Sequence, residues 1–265
     1  MTTTAELFRG MHSGPNLFFL PNCWDVGSAR LFEQLGAPAL ATTSAGVAWS
    51  NGYPDGDAIP AERLVATIRA IGRVIKVPLS VDVESGYSED ATLVGELVAA
   101  LLDAGAVGIN IEDGSRTPAA LMAKIDEAKR VAVRAGVDLF VNGRTDVYLR
   151  ALVPEAARVD ETLSRARRYR DAGADGLFVP LVVASREIQA IAASAGLPLN
   201  VMACPELPSA TELASLGVRR LSVGSALAQL ALGNAALAAE RFLRDGAFEA
   251  LGERTIAFSK MNGLF

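Results

Sequence analysis

Histidine is nearly absent from this chain: His12 is the only one in 265 residues. A single ring leaves no material for a His-rich metal site and almost none for a Ser-His-Asp triad. Cysteine is almost as scarce. Cys23 and Cys204 fit neither a zinc-ligand spacing nor a disulfide framework. They suit a reducing compartment, each as a small buried residue rather than a nucleophile. No stretch gathers Lys and Arg, and the formal net charge is −5. That argues against nucleic acid or an anionic membrane as a partner. The N-terminus, Met-Thr-Thr-Thr-Ala-Glu, has no basic region followed by an apolar run, so no secretory signal is expected. The most apolar window, about 93–111, is broken by Glu96, Asp103 and glycines. It predicts a buried helix followed by a strand, not a membrane span, and cytoplasm is the expected location.

What is present is a soluble globular composition, 51% hydrophobic and 21% charged. Short apolar runs alternate with helical patterns along the whole chain. Strands are predicted at 18–22, 39–44, 79–84, 107–112, 139–144, 176–180, 199–203 and 220–223. Helices are predicted after each, among them 61–75 opened by Pro60, one capped by Ser88 and running to about Gly105, and one opened by Thr117-Pro118. Asp25 reads as the cap of the first, and residues 46–59 read as a polar loop. Strand–helix repetition calls for a parallel sheet with right-handed crossovers. Eight near-equal units without a Gly-rich dinucleotide loop favour a closed (β/α)₈ TIM barrel over an open doubly wound sheet. The chain is expected to form one domain, 1–265. Beyond the eighth helix, 246–265 carries Phe248, Leu251, Ile256, Phe258 and Phe265, suited to packing under the barrel or against another subunit.

In such a barrel, chemistry gathers at the C-terminal ends of the strands. The third strand ends in Asp82 and Glu84, two apart and so expected on one face. Two carboxylates so placed repel each other and call for a cation, for which a divalent metal with hard oxygen ligands is the simplest choice. Glu112 closes the fourth strand, and Asp55 in the second loop could reach the same ion directly or through water. Arg144, at the end of the fifth strand, suits a substrate carboxylate or phosphonate; its structural alternative is an ion pair with Asp146 or Glu112. Ser44, Ala45 and Gly46 are small enough to bring backbone N–H groups to an anionic oxygen. Trp24 reads as pocket wall or core rim, Asp25 as a plain cap and Asp113 as a turn or salt-bridge residue. Ser222-Val223-Gly224-Ser225 could cradle a phosphate, but the preceding strand's loop, 204–208, lacks glycine and carries Glu206, which opposes one.

These segments resemble the isocitrate lyase/phosphoenolpyruvate mutase superfamily. The similar pieces, in collinear order over about residues 15–230, are Pro21-Asn22-Cys23-Trp24-Asp25 with Ser28-Ala29-Arg30, Ala41-Thr42-Thr43-Ser44, Val81-Asp82-Val83-Glu84-Ser85-Gly86-Tyr87, Asn110-Ile111-Glu112-Asp113, Gly143-Arg144-Thr145-Asp146, and Ala172 to Pro180. The resemblance implies a TIM barrel and Mg²⁺, with Mn²⁺ as its substitute. It also implies cleavage or formation of C–C or P–C bonds beside a carboxylate through an enolate. Carried over residue by residue, it makes Asp82 the direct metal ligand, with Glu84, Glu112 and Asp55 on metal-bound water. Thr43, Ser44 and Ala45 would hold the carboxylate and enolate oxygen, and Arg144 the substrate carboxylate. It further implies a homo-oligomer, dimer or tetramer, with the last helix exchanged between barrels.

The chain also departs from that pattern. After the fourth strand stands Gly114-Ser115-Arg116-Thr117-Pro118, without the lyases' Lys-Cys-Gly-His loop or the lysine- and asparagine-bearing loop of the phosphonopyruvate enzymes. Glu84 replaces an aspartate. On the seventh strand Met202 stands where several lyases have Asn, with Asn200 two residues earlier as a substrate-binding candidate. Tyr87 is the candidate proton donor, with pocket wall as its structural alternative. The expectation is a Mg²⁺-dependent lyase or decarboxylase acting on a small 2-oxo or 2-hydroxy di- or tricarboxylate. The alternatives are a phosphonopyruvate mutase or hydrolase and a barrel that binds an oxo acid without turnover.

Overall fold

The structure is a computed structural model that describes residues 2–14, 16–252 and 255–265. Its strands are β1 (Phe18–Leu20), β2 (Asn22–Cys23), β3 (Leu40–Thr42), β4 (Leu79–Asp82), β5 (Gly108–Glu112), β6 (Phe140–Arg144), β7 (Gly176–Phe178), β8 (Leu199–Met202) and β9 (Val218–Ser222). All pairings are parallel, in the order β1-β9-β8-β7-β6-β5-β4-β3-β2. β1 and β2 are two pieces of one barrel strand. Pro21 lies between them and has no N–H to give the ladder, although its carbonyl accepts from Ala41 N at 3.0 Å. The first piece pairs with β9 (Phe18 opposite Arg220) and the second with β3 (Asn22 opposite Ala41), so the sheet closes through them into a (β/α)₈ barrel.

The helices are α1 (Thr4–Met11), α2 (Val26–Gln34), α3 (Ser44–Ser50), α4 (Ala61–Gly72), α5 (Ala91–Asp103), α6 (Pro118–Ala135), α7 (Arg158–Asp171), α8 (Ser185–Ser194), α9 (Ala210–Ser215), α10 (Ala226–Asp245) and α11 (Phe258–Asn262). Several begin where the sequence chemistry says they should. Asp25 accepts from Ser28 N in a capping box, and Thr117 accepts from Ala120 N with Pro118 in the first turn. Two expectations need correction. Asp90, not Ser88, caps α5, by accepting from Thr92 N at 2.8 Å. Ser88 accepts from Asp90 N instead and shapes the turn before the cap. The stretch read as a loop from residue 46 begins with helix α3, made of small residues and Trp24-facing Gly46, where an added Cβ would stand 2.6 Å from Trp24 Cβ.

The apolar interior has two parts. The larger lies between the barrel wall and the ring of helices, with Val81, Ile109, Val141, Leu177 and Val201 facing Ile68, Val98, Ile125 and Ile188. The smaller fills the N-terminal end of the barrel. There α1 inserts Phe8 edge-on against Phe18 and Phe140, at 6.1 and 5.6 Å between ring centroids. His12 stacks on Phe140 at 4.0 Å. A Cβ on Gly108 would stand 2.7 Å from the Phe8 ring, so the glycine is what admits this plug. Helix α1 is capped by Thr3 and Glu6 and tethered by Arg9 to Asp138 and Asp175. At the other terminus, α10 stands largely exposed, with Leu230 62%, Leu237 63% and Phe242 52% accessible. Phe248, Phe258 and Phe265 are exposed as well, while Leu264 is buried and its carbonyl accepts from Arg30 Nε at 2.7 Å. The side chain of Leu251 lies outside those described. Among the described residues no helix is long and apolar enough to cross a membrane.

Candidate active site

The charged residues of the strand ends meet at one mouth. β4 stops at Asp82, and the chain then turns: Glu84 has φ +49° and Tyr87 φ +58°. Glu84 therefore does not reach the mouth as the same-face neighbour of Asp82 on a continuing strand. It gets there because its backbone takes the left-handed conformation, a strained state for a non-glycine residue. Its carboxylate is tied down on both sides. Oε2 accepts from Gly56 N at 2.8 Å and from Asp57 N, and Oε1 accepts from the Tyr87 hydroxyl at 2.8 Å. The loop carrying exposed Asp55 is thereby pinned to the strand end. Asp57 completes the knot by accepting from Ser85 Oγ at 2.6 Å and Ser85 N at 3.2 Å.

Across the mouth, Glu112 closes β5 and Arg144 closes β6, opposite each other in register. Arg144 Nη1 donates to Glu112 at 2.6 Å, while Nε and Nη2 donate to Asp146 at 2.7 and 3.2 Å. The ion-pair alternative for Arg144 is thus realised. Nη1 and Nη2 each keep one N–H, which a substrate carboxylate could take. Asp146 is itself buried and shared with Arg150. Asp113 is structural: it accepts from Arg165 at 2.8 Å, from the Tyr169 hydroxyl at 2.5 Å and from Asp146 N at 2.9 Å, and so fixes the base of the Arg144 turn.

Burial raises the proton affinity of Asp82, Glu84 and Glu112. Asp82 is pushed up by desolvation, against the pull of Arg144, with Asp55 adding repulsion. Desolvation lifts Glu84 to about 7 despite the N–H of Asp57 and the Tyr87 hydroxyl, and Asp55 and Asp82 push the same way. Glu112 is lifted to about 8 by desolvation against Arg144, with Asp146, Asp82 and Glu84 repelling it. The Tyr87 phenol is held strongly protonated by burial and by Glu84. Desolvation leads in each case and the neighbouring carboxylates add to it, so a divalent cation placed among the three would favour their charged forms. Among the described residues no three His, Cys, Asp or Glu side chains are grouped tightly enough to hold a metal unaided. A magnesium ion does not require that, because it takes one or two carboxylates and fills its octahedron with water and substrate oxygens. The all-oxygen donor set of Asp82, Glu84 and Glu112, close enough to repel one another, fits such an ion.

The other sequence candidates fall as follows. Thr43, Ser44 and Ala45 are buried at the start of α3, with the Ser44 N–H turned to Asp82. Trp24 is half-buried at the rim and packs edge-on against Phe32 at 6.1 Å. Asn200 differs from its expected role. Its amide is engaged inside the barrel, accepting from Asn142 and donating to Val201 O, Arg220 O and Ser222 Oγ. It belongs to a polar cluster not foreseen from sequence, Asn110, Asn142, Asn200 and Arg220, in which Asn110 stands opposite Asp82 in register. Its signal was there to read: three asparagines in the middle of apolar strands need one another's hydrogen bonds. Arg220 is 1% exposed and donates Nη2 to Asn110 at 3.1 Å, while Nε and Nη1 have no partner among the described residues.

Residues 8–243 match the family model for phosphoenolpyruvate phosphomutase. An uncharacterized protein of Mycobacterium tuberculosis is 38% identical over 239 residues, covering 90% of this chain and 89% of its own length. An oxaloacetate decarboxylase of Bradyrhizobium diazoefficiens is 32% identical over 207 residues, covering 76% of this chain and 71% of that protein. The crystal structure of 2,3-dimethylmalate lyase, described as a member of the PEP mutase/isocitrate lyase superfamily, aligns with a TM-score of 0.86 at 25% identity, over 100% of this chain and 95% of that one.

Proposed function

The chain belongs to the phosphoenolpyruvate phosphomutase family, and we propose that it is a divalent-metal-dependent carbon–carbon lyase that decarboxylates a small 2-oxo dicarboxylate such as oxaloacetate. The observation that carries this reading is the convergence of Asp82, Glu84 and Glu112 with Arg144 at one mouth. Asp82 would hold Mg²⁺ directly, with Mn²⁺ able to replace it, and Glu84, Glu112 and Asp55 would hold its waters. When bound, the cation would supply charge stabilisation for an enolate oxygen. Arg144 would orient the carboxylate that stays with the product. Ser44 and Ala45 would approach the oxygen that gains charge.

Decarboxylation suits the residues better than a retro-aldol step. Loss of CO₂ from a 3-carboxylate breaks one C–C bond and sends its electron pair to the 2-oxo oxygen, giving an enolate that later takes a proton at C3. No base has to remove a proton first. A 2-hydroxy acid needs one for its hydroxyl. Among the described mouth residues, the Tyr87 phenol is bound to Glu84 and holds its proton strongly. A phenol kept protonated cannot serve as the base, and Tyr87 is proposed as the proton donor to C3, its hydroxyl leaving Glu84 to give the proton to the far more basic enolate carbon. The relatives support the reading, since one 32% identical is named an oxaloacetate decarboxylase.

The test is an assay of purified protein with Mg²⁺ against oxaloacetate, 2,3-dimethylmalate and phosphonopyruvate. Pyruvate release from oxaloacetate is expected. Absence of turnover with all three, with oxo-acid binding retained in calorimetry, would instead identify a binding barrel. Consumption of phosphonopyruvate alone, seen by phosphorus NMR, would move the chemistry to a P–C bond. The exposed leucines and Phe242 of α10 support a homo-oligomer. Light scattering on the same preparation should give a dimer or tetramer, and a monomer would refute it.

A further inference from the structure

Lys124 is a buried ammonium that the proposed chemistry does not use. It lies on the inward face of α6, 1% exposed, among Leu121, Ile125 and Ala128. Burial lowers its proton affinity, so the cost of keeping it must be repaid by what it holds. Its Nζ donates to the carbonyl oxygen of Ser85 at 2.8 Å, and the nearest carboxylate, Glu89 Oε2, is 3.9 Å away on an exposed side chain.

Ser85 is the middle of the turn between the two left-handed residues Glu84 and Tyr87. The turn has one backbone bond of its own, Gly86 N to Val83 O at 2.7 Å. The Glu84 carbonyl also accepts from Glu112 N of β5 at 2.8 Å, and the remaining contacts come from side chains: Asp57 on Ser85 N and Oγ, Glu84 on Gly56 N and Asp57 N, and Lys124 on Ser85 O. Three of the five non-glycine residues with positive φ among those described, Asp57, Glu84 and Tyr87, sit in this one knot. Backbone held in such conformations persists only where its surroundings over-determine it. Among the described residues, Lys124 makes the one hydrogen bond that reaches the knot from a helix of the barrel. Arg116, half exposed, adds a looser tie from the short loop before α6, to Glu89 at 2.5 Å and Asp57 at 3.6 Å.

We propose that Lys124 is a positioning residue: by holding the Ser85 carbonyl, it fixes the left-handed turn that aims Glu84 at the mouth and, through Ser85 and Asp57, the loop that carries Asp55. It does not touch the reacting atoms, since its ammonium lies behind the turn. The importance of what it holds rests on the metal-site reading above. The claim that it holds the turn does not.

Two measurements on the full chain separate these points. The first is hydrogen exchange at the amides of Gly56, Asp57, Ser85 and Gly86 without metal. K124M should speed exchange at these four at least about tenfold while leaving β5 and β6 unchanged, and K124R, which keeps a long cationic donor, should restore most of the protection. Unchanged exchange at the four, or an equal rise across the barrel, overturns the proposal. If K124M does not fold, K124Q, with a shorter neutral donor, is subject to the same criterion. The second is Mn²⁺ titration. Wild type should bind, K124M should bind at least about tenfold more weakly, and K124R should recover. A K124M variant with the exchange change but wild-type Mn²⁺ affinity overturns the link from turn to site. Absence of Mn²⁺ binding in wild type refutes the metal reading alone, and the exchange result still decides the role of Lys124.

Discussion

The two ends of the barrel bury charge in opposite ways. At the C-terminal mouth, Asp82, Glu84 and Glu112 crowd together, and each is pushed towards its protonated form. At the N-terminal end, the crowded groups are basic. His12 is lowered from 6.5 to about 3 by burial, with Arg220 and Arg9 repelling its charged form. Arg220 is lowered to about 9 by desolvation, with Asp82 pulling the other way. The base resolves its conflict internally, because a histidine can give up its proton and stack as a neutral ring between Phe140 and Phe18. The mouth relieves its conflict only in part: Arg144 pairs with Glu112, and Glu112 and Glu84, lifted to about 8 and about 7, compete for protons near neutral pH. Asp82 forms no salt bridge among the described residues, and a divalent cation would take the place of those protons. A region that relieves its own electrostatic strain is structural, and one that needs a ligand to do so is a site.

Removing an acid from the mouth gives the largest expected effect. Asp82→Ala should abolish Mn²⁺ binding and lower the decarboxylation rate by roughly 10³-fold, as expected when a principal electrostatic stabiliser is lost. Metal-free stability should stay level or rise, because the repulsion goes with the carboxylate. Calorimetry and a thermal melt on the same sample check both. A variant that loses stability as well as activity would mean that Asp82 is held by the fold and not for a ligand.

The mouth was more legible in the sequence than the base. Asp82, Glu112 and Arg144 close apolar runs, and a parallel barrel brings strand ends together whatever the details of the loops. Glu84 was legible as a participant but not in its geometry. A period-two argument holds only while the strand continues, and the strand ends at Asp82. Helix α3 was hidden because Ser-Ala-Gly-Val-Ala has little amphipathic pattern, and five of its seven residues are buried. The base was hidden for another reason. Thr4–Met11 is a capped amphipathic helix that could dock anywhere, and only the space at Gly108 explains why Phe8 goes into the barrel. Asn200 was placed at the mouth because its neighbours in the chain lead there. Its bonds to Asn142 and Ser222 are long-range contacts, and the recurrence of asparagine inside apolar strands was their one trace in the sequence.

Arg220 is a smaller test, at the boundary between the two regions. It is fully buried, forms no ion pair, and leaves two nitrogens without partners among the described residues. Its one acceptor, Asn110 Oδ1, also receives Asn142 Nδ2 at 2.9 Å, so it would not be orphaned by substitution. Arg220→Met should therefore stabilise the fold by about 1–4 kcal/mol, the range seen when apolar side chains replace buried ionic groups. The effect should be smaller if internal water already serves Nε and Nη1. Denaturant titration measures it, and a loss of stability would show that the pull of Asp82 outweighs desolvation, joining base and mouth into one charged unit.

His12 sharpens the comparison by pH. The unfolded ring titrates near 6.5, and the folded ring resists protonation until about 3. Between those values the unfolded state binds the proton and the native state does not. The contribution of His12 is thus complete above 6.5 and is lost as pH falls through the window. Going from pH 7 to pH 5 should cost about 2 kcal/mol from this residue alone. Acids paired elsewhere add their own losses, so the quantity to measure is a difference. His12→Phe keeps an aromatic ring against Phe140 and gives up the 2.8 Å contact of Nδ1 with the Phe8 carbonyl. The variant should be less pH-sensitive than wild type by that amount over the same interval, in urea titrations at each pH. Equal slopes would mean that the ring is protonated in the native state, with the proton on Nε2, which has no partner among the described residues. The base would then hold an unrelieved charge conflict as the mouth does, and the distinction between a self-relieved structural end and a ligand-dependent one would fail.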